Sequence, residues 1–121
     1  MRVAIKKDID DDITMIYFRM IEELTPCHIR VLNLLHNPII WYENKGEKVP
    51  SMGSISQLVK RAFPELRGDD QFIKKVIHDL YNEGFINTES IMVMMSGDGM
   101  VTSRTTELGK GFIEFVSKVE F

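Results

Sequence analysis

The chain has 121 residues, 44% of them hydrophobic and 27% charged, with a formal net charge of −3. That length suits one domain with its own core. The balance excludes a disordered tail, a membrane-embedded chain and a strongly basic nucleic-acid coat, while leaving room for a local basic patch. The lone cysteine, Cys27, rules out an intrachain disulfide and suits a reducing, cytoplasmic setting. No apolar run approaches the roughly 20 residues of a membrane helix. The first twelve residues lack the apolar core and cleavage site of a signal peptide, and fit either a protein start or a fragment boundary.

In chain order, Ile9, Ile13, Ile16, Met20 and Leu24 recur at spacings of three and four, which predicts a helix over about 12–24. Asp10, Asp11 and Asp12 suit its N-terminus; a calcium loop there would need the Gly and Glu that are missing. Thr25-Pro26 marks a fresh start, an N-cap followed by proline in the first turn. The second helix, 26–36, has apolar residues on two faces (Ile29, Leu32 and Leu35; Val31 and Leu34), so it should pack on two sides. Pro38 ends it, and Ile39 to Tyr42 read as a short strand. Asn44 to Pro50 read as an exposed loop.

Ser54-x-x-Gln57 has capping-box spacing, and Ile55, Leu58, Val59, Ala62 and Phe63 form one helical stripe after it. Asp69 or Asp70 can cap the next helix, whose stripe is Phe72, Ile73, Val76, Ile77, Leu80 and Tyr81, with Gly84 as the stop. Its outward side carries Gln71, Lys74, Lys75, His78, Asp79 and Asn82. Beyond Gly84 the period changes. Residues 85–88 and 100–104 read as two strands, with Ile91 to Met95 apolar and Gly97-Asp98-Gly99 a turn cluster between them. Thr105 or Thr106 can cap a last helix buried through Leu108, Phe112, Phe115, Val116 and Val119.

From Thr25 onward this order resembles a winged helix-turn-helix domain. Three stretches carry the resemblance. They are the Leu24-Thr25-Pro26 start with its Ile29/Leu32/Leu35 stripe, the run Phe72 to Leu80 leading through Gly84 to Phe85-Ile86, and the Thr105-Thr106-Glu107-Leu108-Gly109 start of the closing helix. The Thr-Pro start and the Arg104-Thr105-Thr106-Glu107-Leu108-Gly109 stretch are also similar to the C-terminal region of uncharacterised bacterial and phage-linked proteins of the abortive-infection alpha type. The expected fold is therefore mainly α with a small β-hairpin wing: an N-terminal helix extension over 1–24 and a winged-helix domain over 25–121. Two departures stand out, a connector over 64–70 longer than a tight turn, and a wing region that is Met-rich rather than basic.

The resemblance implies DNA binding or transcription-type regulation. Gln71, Lys74, Lys75 and His78 would then face the bases, with Lys60, Arg61, Arg67 and Arg104 on phosphates. Asp69, Asp70, Asp79 and Glu83 would repel phosphate unless paired, and Asp70–Lys74 and Lys75–Asp79 have ion-pair spacing. The alternative is a protein-interaction or homodimer module. Its contacts would be Met92, Met94, Met95 and Met100, with Phe115, Phe121 and the first helix as further dimer surface; the competing reading of these methionines is an ordinary buried strand. No enzyme, cofactor or metal site is expected. Cys27 and His28 are sequence neighbours that point about 100° apart on a helix. The three histidines lack zinc spacing, and the two Gly-x-Gly pairs lack a phosphate-binding context.

Overall fold

The computed structural model describes residues 2–89, 94–95 and 97–119. Seven α-helices lie among them: α1 Arg2–Glu23, α2 Pro26–His36, α3 Pro38–Asn44, α4 Ile55–Ala62, α5 Asp70–Asn82, α6 Gly97–Val101 and α7 Glu107–Val119. A 3-10 turn, Pro64–Leu66, joins α4 to α5.

Local chemistry explains most boundaries. Thr25 caps α2 and Ser54 caps α4, and both form reciprocal capping boxes, with His28 and Gln57 respectively. Asp69 caps α5 by accepting the Phe72 N–H at 3.3 Å. Thr106 caps α7 by accepting the Gly109 N–H at 3.0 Å. Gly84 follows α5 with φ +77°, a conformation only glycine adopts cheaply.

Helix α2 is the central element, packed against α3, α4, α5 and α7. Val31, Leu32, Leu34 and Leu35 are each at most 1% exposed, so α2 is buried on two sides. Each such aliphatic side chain contributes about 1.5–3 kcal/mol of burial. A ring cluster fills the space between α1, α7 and the segment after α5. Phe85 stacks on Phe112 with centroids 4.6 Å apart, and Tyr17 tilts over Phe112 at 5.6 Å. The Tyr17 hydroxyl donates to the Leu108 carbonyl at 3.0 Å. Gly109 is needed here because a Cβ would collide with the backbone carbonyl of Phe85.

Three expectations are corrected. First, Ile39 to Tyr42 lie in α3, not in a strand. Asn37 accepts the Ile40 N–H at 3.2 Å, and Pro38 occupies the first turn. The proline that stops α2 thus starts α3, and Tyr42 reaches the core, where its hydroxyl donates to the Leu58 carbonyl at 2.7 Å. Second, α1 begins at Arg2, ten residues before the predicted start near Asp12. Its 22 residues span about 33 Å.

Third, the fold is not mainly α with a β-hairpin wing, because there is no β-strand among the described residues. Only isolated antiparallel bridges occur, Gly53 with Met95 and Ile86 with Thr105. The expected return strand starts in α6, whose Met100 is fully buried. One helical turn sinks that side chain into the core, so no ladder forms to place it. Met95 pairs with Gly53, through N–H to carbonyl bonds of 2.7 and 3.1 Å, and not with residues 100–104. Arg104 does the remaining tethering. Its guanidinium donates to Thr88 Oγ1, Met95 Sδ and the Gly99 carbonyl at 3.1, 2.7 and 2.9 Å. Residues 90–93 of the expected wing lie outside the described residues.

Candidate nucleic-acid interface

Helix α5 divides cleanly into two sides. Ile73, Val76, Ile77 and Leu80 are at most 1% exposed and face α2 and α4. Gln71, Lys74, Lys75, His78, Tyr81 and Asn82 are exposed. Tyr81, expected in the buried stripe, is 42% exposed and joins the polar side. The outward surface is therefore made of hydrogen-bonding side chains.

The acidic residues of α5 are mostly engaged. Asp69 serves as the N-cap. Asp70 pairs with Lys60 on α4, and not with Lys74 as its spacing suggests. Asp79 points toward α2. Its Oδ2 lies 2.9 Å from His28 Nε2 and its Oδ1 lies 2.9 Å from Lys75 Nζ. Glu83, at the C-cap, stays exposed.

The His28 contact has a defined sense. His28 is 6% exposed. Its Nδ1 accepts the Thr25 backbone N–H at 3.2 Å and lies 2.7 Å from the Thr25 hydroxyl. A ring nitrogen that accepts an N–H carries no proton, so the neutral ring bears its proton on Nε2, aimed at Asp79. Burial works to raise the pKa of the Asp79 carboxyl. Hydrogen bonds from Lys75 and His28, together with the Lys75 charge, outweigh it and hold the carboxyl below its ordinary value.

The cations divide into engaged and available groups. Lys60 is held by Asp70, and Lys75 by Asp79. Arg61 follows Lys60 on α4, Arg67 follows the 3-10 turn and Lys74 sits on α5; all three are exposed. Arg104 is only partly exposed and spends its donors on Thr88, Met95 and Gly99, so it braces the loops instead of presenting itself to phosphate. His78 meets Glu89 Oε2 through Nδ1 at 2.7 Å and Asn82 through Nε2 at 2.9 Å. Sequence reasoning missed Glu89 on this surface, since it arrives from the loop after α5 and no local spacing signals it.

The methionines separate in the same way. Met94 is 60% exposed, Met95 half-buried and Met100 buried, while Met92 lies outside the described residues. Met52, beside the Gly53–Met95 bridge, is 67% exposed.

Elsewhere the chemistry is sparse. Burial pushes the Cys27 thiol up, with a smaller opposing effect of Arg30 and a small addition from Glu65, which makes it a poorer nucleophile. The groove between α2 and α7 has about 240 Å³ and is lined mainly by apolar side chains such as Ile29, Leu32, Ile113 and Val116. Among the described residues no cluster of three or more His, Cys, Asp or Glu side chains could hold a metal, and no helix is long and apolar enough to cross a membrane. Comparison with protein-family models, curated proteins and solved structures finds no match to this chain.

A depressed carboxylate pKa stabilises the fold above the unfolded value and loses that contribution as pH falls through the folded one. Asp79→Asn should therefore cost about 1–2 kcal/mol near neutral pH, with the gap to wild type closing below about pH 4. Urea denaturation of both proteins from pH 7 to pH 3 checks this; a gap independent of pH contradicts it.

Proposed function

We propose that this chain binds double-stranded DNA through the exposed side of α5, in the manner of a regulatory DNA-binding module. One observation carries the reading. The helix turns a continuous surface of Gln71, Lys74, Lys75, His78, Tyr81 and Asn82 outward while Asp69, Asp70 and Asp79 are each occupied by a cap or a cation. Repulsion by those acids was the main electrostatic objection to DNA, and their pairing reduces it.

An α-helix fits the major groove, where Gln pairs with adenine and Lys with guanine. Gln71 would reach base edges and Lys74 a base edge or a nearby phosphate, whereas both ring nitrogens of His78 are engaged by Glu89 and Asn82. Arg67, in the connector before α5, and Arg61, on α4, suit phosphates. Arg104 has no part in this reading. Because the available cations Arg61, Arg67 and Lys74 can neutralise only about three phosphates per chain, binding should be weak and strongly salt-dependent.

Fluorescence anisotropy with a duplex of about 20 base pairs, two helical turns, tests this. Affinity should fall about 50-fold between 50 and 200 mM salt, with a logarithmic slope near −3. Lys74→Ala and Arg67→Ala should each weaken binding and reduce the slope by about 1. No binding at the lower salt, or variants indistinguishable from wild type, refutes the reading.

A second reading, a protein-docking module, draws on Met52 and Met94, which flank one bridge and are both well exposed. Methionine suits adaptable contact surfaces. Met94→Glu should abolish any concentration-dependent self-association seen by analytical ultracentrifugation. A wild-type chain that stays monomeric at every concentration, or a variant that still associates, removes the homodimer form of this reading.

A further inference from the structure

Besides Glu83 at its C-cap, the α5 surface carries an acid brought from outside the helix that a general phosphate-binding face would not want. Glu89 folds back from the loop after α5 and sets its carboxylate 2.7 Å from His78 Nδ1. The orientation follows from its neighbours. The Asn82 amide lies 2.9 Å from His78 Nε2 and donates to it, so Nδ1 carries the ring proton and donates to Glu89. Glu89 is not on a loose tail. The Asn87 N–H donates to the Arg104 carbonyl at 3.0 Å, and the Arg104 guanidinium holds Thr88 Oγ1 at 3.1 Å. The buried work of Arg104 thus fixes where this carboxylate sits. Both His78 and Glu89 remain about half exposed, so the pair is open to a ligand.

A carboxylate is an acceptor with no proton to give. In the major groove it is repelled by phosphates and by the acceptor edges of guanine and thymine. It is matched by the exocyclic amino groups of cytosine and adenine. We propose that Glu89 is a specificity-determining residue of the α5 surface. It favours duplex sites that place cytosine or adenine, with its amino group, on one particular strand at one position, and it disfavours guanine or thymine there. His78 is its positioning residue, holding the carboxylate at the helix instead of in solvent. This rests on the DNA reading of α5 and adds to it a base class and a residue that selects it.

The test is selection from a pool of duplexes of about 20 base pairs with a randomised core, at about 50 mM salt, for wild type and Glu89→Ala. Wild type should raise the ratio of cytosine plus adenine to guanine plus thymine at one position of one strand by about tenfold. Glu89→Ala should reduce that enrichment to within about twofold and bind unselected duplexes about threefold more tightly, because a repulsive charge has gone. Glu89→Gln, which regains a donor, should shift the same position toward bases with acceptor edges. Thermal melting of the variants controls for folding, and His78→Ala should flatten the preference as well. Duplex binding with a preference unchanged in Glu89→Ala, or weaker binding by that variant, overturns the role of Glu89 and leaves the α5 reading standing. No binding of any duplex by wild type or variant overturns both.

Discussion

The contact between His28 and Asp79 ties together the two helices on which the rest of the molecule is arranged. It joins the first turn of α2 to the third turn of α5, and both groups are largely removed from water. A buried imidazole and a half-buried carboxylate are costly to leave unpaired, at about 1–3 kcal/mol or more each. Each satisfies the other, and Thr25 completes the ring's second nitrogen. The same residue pair therefore caps α2, docks α5 and turns an α5 acid inward. The outward face is left to Gln, Lys, His, Tyr and Asn as a consequence of that docking.

The other end of α2 is secured differently. Arg104 N–H donates to the Leu35 carbonyl at 2.9 Å, and His36 Nδ1 lies 2.9 Å from Thr105 Oγ1. The segment after α6 is thereby pinned to α2. Arg104 sends its guanidinium on to Thr88, Met95 and Gly99, so one side chain supplies the cross-links a sheet ladder would have supplied. Partial burial lowers the pKa of this guanidinium, yet its charge persists at any ordinary pH. The absent hairpin and the engaged Arg104 are two aspects of one arrangement.

Elements with local signals were legible from sequence. Thr25-Pro26, Ser54-x-x-Gln57, Asp69 and Gly84 all act through residues within one helical turn, and each does what its type suggests. The stripe of α4 and most of the α5 stripe follow the same logic. What failed depends in part on distant partners. Pro38 after a helix reads first as a stop; the Asn37 cap beside it is a local signal, but the core site that Tyr42 fills exists only in the folded chain. Residues 100–104 have strand-like composition, but Met100 gains its burial from a single helical turn. The site was half legible. The i,i+4 spacing gives Lys75–Asp79, whereas Lys60–Asp70, His28–Asp79 and His78–Glu89 join residues brought together only by folding.

The central claim is that His28 and Asp79 act as one unit in holding α2 to α5. A double-mutant cycle with His28→Ala and Asp79→Ala, read by urea denaturation at pH 7, measures it most directly. The coupling should be about 1–3 kcal/mol, so that the second substitution costs far less once the first is made. Losses that add to within about 0.5 kcal/mol would contradict the account.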